Sequence, residues 1–100
     1  MSLDSGRALQ ALGAPRRRAI LELTAAEELS AGAISKRFAE VSAPAVSQHL
    51  RVLKEAGLLI ERRHGTRRLY RADTQALQAL CDYLDDMRAS SQRLDHRLRL

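Results

Sequence analysis

Residues 42–57, SAPAVSQHLRVLKEAG, constrain the fold more than any other stretch of this chain. They specify a helix with both ends marked. Ser42 is a good N-cap, and Pro44 in the first turn breaks no intrahelical hydrogen bond. Gly57 stands where a helix closes through a left-handed residue. At about 100° per residue, Val46, Leu50 and Leu53 share one side with His49 at its edge, while Pro44, Gln48, Arg51 and Glu55 face away. A solvated helix usually carries charge on its outer face. Here the first two turns carry Ala43, Pro44, Ala45, Ser47 and Gln48, all small or neutral.

The period changes at Leu58. Leu58-Leu59-Ile60-Glu61-Arg62-Arg63 and Thr66-Arg67-Arg68-Leu69-Tyr70-Arg71 are short strand-like runs on either side of His64-Gly65, which predicts a β-hairpin. Upstream, residues 3–13 carry Leu3, Ala8, Leu9, Ala11 and Leu12 and read as a first helix ended by Gly13. Pro15 suits the first turn of a second helix, whose buried side would be Ile20, Leu21 and Leu23. Ser30 can cap a short third helix with Ile34 and Phe38 inward. From Asp73 or Thr74 a last helix shows Leu77, Leu80, Cys81, Leu84, Met87, Leu94 and Leu98 on one side. The predicted fold is mainly α with a two-stranded β-hairpin, about five helices in the order ααααββα.

One hundred residues suit one small domain, and 3% aromatic content with no Trp suits aliphatic helix packing. No apolar run approaches the roughly 20 residues that span a bilayer, and the N-terminus has no signal-peptide hydrophobic region. A single cysteine forms no internal disulfide. The expectation is a cytoplasmic protein that does not associate with membranes. Residues 58–72 hold five arginines and one glutamate, so most of the net charge of +5 sits in fifteen residues. Such a patch marks either a polyanion partner or a solvated basic turn. No nucleotide-binding glycine loop, nucleophile elbow or acid–base pair is present, and enzymatic activity is not expected.

Two short helices joined by a tight turn match a helix-turn-helix, whose second helix enters the DNA major groove with its N-terminal residues at base edges. A groove about 12 Å wide admits a helix whose leading side chains are small, which accounts for the quiet face. Ser42 and Ser47 can bond phosphates or bases, and Gln48 can pair with adenine through both amide atoms. The hairpin behind it, with Arg62, Arg63, Arg67 and Arg68 around Gly65, would straddle the phosphate backbone as a wing or reach into the minor groove.

The stretch SAPAVSQHLRVLKEAGLLIERRHGTRRLYRAD resembles the core of the ArsR-type bacterial transcriptional repressors. Their pattern S-x-x-x-V-S-x-H-L-x-x-L-x-x-A-G-L, an R-x-G-R wing and a Tyr are matched by Ser42, Val46, Ser47, His49, Leu50, Leu53, Ala56, Gly57, Leu58, Arg63, Gly65, Arg68 and Tyr70. Thr66 replaces the basic residue that usually follows the wing glycine. PRRRAILELTAAEELSAGAISKRF resembles the family's second and third helices, so the likeness spans residues 10–75.

The resemblance implies a winged helix-turn-helix homodimer on a pseudo-palindromic double-stranded operator, acting as a repressor, often of its own gene. The whole chain, 1–100, would be one DNA-binding domain: 30–57 the helix-turn-helix, 58–72 the wing, 1–14 and 74–98 the dimerisation helices. DNA contacts are expected from Ser42, Ala43, Pro44, Ser47, Gln48, His49, Arg51, Arg62, Arg63, Gly65, Thr66, Arg67 and Arg68. Dimer contacts are expected from Leu9, Leu12, Leu77, Leu80, Cys81, Leu84, Met87 and Leu94.

Many relatives release DNA on binding a metal, and neither family site is present here. The thiolate pair C-x-C falls on Ser30 and Gly32, which hold no soft metal. The zinc pattern D-x-H fails from Asp82, Asp85 and Asp86, whose second neighbours are Leu84, Met87 and Arg88. No metal or other cofactor is expected, and the inducer, if there is one, is not named by the sequence. Cys81, on the apolar face, is expected to be a buried thiol. Two other functions fit the residues: a sensor responding to an unidentified ligand or to oxidation of Cys81, and a protein-interaction module whose basic face docks an acidic partner.

Overall fold

A computed structural model describes residues 3–99. The segment expected to form the first dimerisation helix therefore begins with two positions outside the described residues. The elements in chain order are α1 (Ser5–Ala11), α2 (Pro15–Ala26), β1 (Leu29–Ser30), α3 (Ala31–Arg37), α4 (Ala43–Glu55), β2 (Leu59–His64), β3 (Arg67–Ala72) and α5 (Thr74–Arg99). The hairpin is not two-stranded alone. β1 pairs antiparallel with β3, Leu29 opposite Tyr70 and Ser30 opposite Leu69, which gives a three-stranded sheet in the order β1-β3-β2.

The helix ends follow local chemistry. α1 begins later than expected because Asp4 caps it, its carboxylate accepting from the Arg7 amide. Ser30 accepts from the Ala33 amide and Ser42 from the Ala45 amide, so both predicted serine caps operate. α4 closes in a Schellman motif: the Gly57 amide donates to the Lys54 carbonyl and the Leu58 amide to the Leu53 carbonyl. Gly57 adopts φ 82°, and a Cβ there would also press on Leu3 at 3.2 Å.

The core is built from Ile20, Ile34, Val46, Leu53 and Leu58, all essentially inaccessible, with Leu50, Leu59, Tyr70 and Leu80 around them. α2 turns slightly from its expected orientation. Thr24 is buried where Leu23 was expected, its hydroxyl satisfied by the Ile20 and Leu21 carbonyls. Phe38 is half-buried and carries the Arg16 guanidinium 5.5 Å above its ring. The first turns of α5 dock on the body through Ala76, Leu77 and Leu80, and beyond Leu80 almost every residue is exposed. Cys81 is exposed and not buried. An apolar stripe is a property of spacing alone, and the body ends one residue too early to cover this thiol. No described helix is long and apolar enough to cross a membrane.

Candidate nucleic-acid interface

α3 and α4 are joined by the short loop 38–42, and α4 presents Ser42, Ala43, Pro44, Ser47, Gln48 and Arg51 to solvent. Of these, Ser42, Ala43, Pro44 and Ser47 are small enough to let the helix enter a groove. Gln48 is not idle: its Oε1 accepts a hydrogen bond from Arg51 one turn later. His49 is half-buried at the edge of the stripe, and its Nδ1 is buried with no hydrogen-bond partner among the described residues. Burial, together with the positive charges of Arg17 and Arg16, holds its pKa below the usual imidazole value, so it is neutral at pH 7.

The wing turns at Gly65-Thr66, with Gly65 at φ 64° in the left-handed region. Strand register divides the wing cations between two faces. Residues directly opposite share a face, so Glu61, Arg63, Arg68 and Tyr70 lie on the face that carries the core residues Leu59 and Ala72. Arg62, His64, Arg67 and Arg71 lie on the other. At the tip His64 faces Arg67, and Arg63 faces Arg68, two guanidinium groups in direct opposition. Like charges so placed weaken a hairpin in the absence of an anion.

Sequence reasoning treated the wing arginines as equivalent, and the structure does not. Arg62 is held by Glu28, donating through Nε at 2.8 Å and Nη2 at 2.7 Å, and Arg71 lies 3.9 Å from the same carboxylate. These contacts, led by the Arg62 hydrogen bond, keep the Glu28 carboxyl below the usual carboxylate range. Arg68 pairs with Glu61 at 3.2 Å, and Lys54 donates to the other oxygen of that carboxylate at 2.6 Å. Among the described residues Arg63 and Arg67 form no ion pair, which leaves them the readiest phosphate ligands of the set. Glu28, Lys54, Glu61 and Arg71 were not foreseen. The alternation of β2 could have placed Glu61 beside Arg68, but nothing local connects Glu28 with Arg62.

The expected dimer contacts also separate. Leu80 belongs to the chain's own core, and Leu12 and Leu77 are half-buried against it. Leu9, Cys81, Leu84, Met87 and Leu94 are exposed, as are Tyr83 and Leu98. Among the described residues no three His, Cys, Asp or Glu side chains converge where a metal ion could be held.

Residues 12–62 match the family model described as a helix-turn-helix domain. The chain is 51% identical over 79 residues to the HTH-type transcriptional regulator Rv2034 of Mycobacterium tuberculosis, covering 79% of this chain and 73% of that protein. It is 36% identical over 69 residues to the transcriptional repressor SdpR of Bacillus subtilis, covering 69% and 76%. An ArsR-like transcriptional regulator from Rhodococcus sp. RHA1 superposes with a TM-score of 0.87 at 25% identity, over 95% of this chain and 89% of that one. The homodimeric winged helix-turn-helix DNA-binding domain Mb0332 from Mycobacterium bovis superposes with a TM-score of 0.66 at 31% identity, over 90% and 81%. With a quiet, exposed α4 beside an arginine-rich wing, on a fold shared with these proteins, the chain belongs to the ArsR-type winged helix-turn-helix transcriptional regulators and is not an enzyme.

Proposed function

We propose that the chain is a dimeric, cytoplasmic repressor that binds a pseudo-palindromic operator and does not respond to metal ions. The observation that carries this reading is the opposition of two arginines across the wing tip, Arg63 and Arg68, beside an α4 whose leading side chains are small. A hairpin that sets cation against cation is matched to a partner rich in phosphate. In this reading Ser47 and Gln48 meet base edges. Ser42, Ala43 and Pro44 allow close approach, Arg51, Arg63, Gly65, Thr66 and Arg67 follow the backbone, and Arg68 joins them on leaving Glu61. His49 is neutral and acts by packing; Arg62, clamped by Glu28, orients the wing more than it binds.

Dimerisation is supported by α5. Leu77, Leu80, Leu84, Met87, Leu94 and Leu98 follow alternating three- and four-residue steps, interrupted only at Ser91, the spacing of a two-helix seam. The first two serve the chain's own body; the exposed remainder, with Leu9 on α1, suits a second copy. The homodimeric Mb0332 domain supports the same arrangement, and SdpR, named a repressor, supports the sign of regulation. Residue identity supports independence from metal, since Ser30 and Gly32 stand where the thiolate pair would be.

A mobility-shift titration with DNA from upstream of the chain's own gene tests this reading. Retardation that random duplex competes poorly is expected. Equal competition by random duplex, or retardation only by an acidic protein partner, would remove it.

A further inference from the structure

Glu61 is the only carboxylate in the wing, and it lies on the face turned towards α4. Its side chain is 14% exposed, yet it is charged at neutral pH, because the Lys54 hydrogen bond and the charges of Lys54 and Arg68 hold its carboxyl below the usual range. Its two partners come from different elements, Lys54 from α4 and Arg68 from β3, and each takes one of its oxygens. Together with Ser47, Arg51 and Tyr70, these three side chains line an open cleft of about 290 Å³ between α4 and the wing. A carboxylate offers two oxygens to cationic donors in nearly the geometry of a phosphodiester. The glutamate therefore sits where a backbone phosphate would otherwise engage the same two cations.

We propose that Glu61 suppresses sequence-independent DNA binding by acting as an internal substitute for phosphate, keeping Lys54 and Arg68 from a passing duplex. The assignment rests on the DNA-binding reading above. Sequence-independent affinity scales with the number of phosphates neutralised, each adding about 0.9 to the salt slope. With both cations occupied, a duplex of arbitrary sequence finds mainly Arg63 and Arg67, on the two faces of the wing tip, and the α4 residue Arg51. The sequence-dependent part of the affinity, made by α4 at base edges, then forms a larger share of the whole.

The test is a titration of a random-sequence 30-base-pair duplex at several salt concentrations. It compares the wild-type chain, Glu61→Gln, and Glu61→Gln combined with Lys54→Met. Glutamine keeps the size and a neutral acceptor, and circular dichroism at the titration temperature verifies folding; Glu61→Ala replaces it if it unfolds. Glu61→Gln is expected to bind about three- to tenfold tighter at low salt, with a slope steeper by about 1 to 2. Adding Lys54→Met should return both partway to wild type, because it removes one of the released cations. A folded Glu61→Gln with wild-type or weaker affinity and an unchanged slope overturns the assignment, as does a gain that persists in full without Lys54. If the wild-type chain binds no duplex at all, the DNA-binding reading fails with it; if it binds and the variants do not differ, only the role of Glu61 fails.

Discussion

Arg63 and Arg68 stand directly opposite each other on one face of the wing, and Glu61, two residues before Arg63 on the same face, pairs with Arg68 and not with Arg63. Half of this tip pair is therefore electrostatically settled and half is not. Arg63→Glu should complete the cross-strand ion pair and raise the melting temperature by about 2–4 °C, since an opposite-charge pair replaces a like-charge one. The same change should weaken binding to every duplex. Thermal denaturation and a binding titration on one preparation check both halves; a variant that is less stable and binds as well as wild type contradicts the view that the tip sacrifices stability for phosphate affinity.

Base reading and backbone binding should separate by residue. Gln48→Ala is expected to cost about 1–3 kcal/mol of discrimination between preferred and altered sites while leaving the salt slope unchanged. Arg67→Ala should weaken all sequences alike and lower the slope by about 1. Parallel titrations of preferred and random duplexes resolve the two patterns. Equal losses from both variants on both duplexes would show that α4 does not read bases.

Leu84 and Met87 are half exposed in the single chain, on a helix that has left the body of its own domain. Leu84→Arg combined with Met87→Asp should give a folded monomer by sedimentation equilibrium, with operator affinity falling steeply because two half-sites are no longer joined. A variant that remains dimeric at micromolar concentration places the interface elsewhere.

The half-buried imidazole of His49, with its Nδ1 shut off from solvent, gives a pH dependence whose sign follows from its environment. Its folded pKa is depressed below the ordinary 6.5 by burial and by Arg17 and Arg16, so the unfolded chain takes up a proton first as pH falls. Stability from this group is complete above pH 6.5 and declines between 6.5 and the lower folded value. The carboxyls of Glu28, Glu40 and Glu61, all depressed, add losses of the same sign only below their ordinary 4.5. Melting curves between pH 7.5 and 5 should fall for the wild type and flatten for His49→Gln. A wild-type curve that is flat across that window means that the imidazole is not desolvated.

The parts of this molecule legible in its sequence are those determined locally. Ser30 and Ser42 cap helices through hydroxyls three residues from their donors, and Gly57 closes α4 within one turn. β1 was not legible, because Leu29 and Ser30 become a strand only through a partner 41 residues downstream in the case of Leu29–Tyr70 and 39 in that of Ser30–Leu69. The clamp of Glu28 on Arg62 spans 34 residues and leaves no periodic trace. Cys81 shares the angular position of the apolar stripe, but burial depends on where the rest of the body ends. The wing is intermediate: its arginines were plain, and their division into held Arg62 and Arg68 and unpaired Arg63 and Arg67 required the register.

Selection of duplexes from a random DNA pool by the wild-type chain, followed by titration of the enriched sequences against salt, tests the central claim most directly. Two inverted half-sites with centres about one helical turn apart, or a multiple of it, bound with an affinity that falls steeply with salt, is the predicted result. No enrichment over the starting pool, or binding indifferent to both sequence and salt, would contradict it.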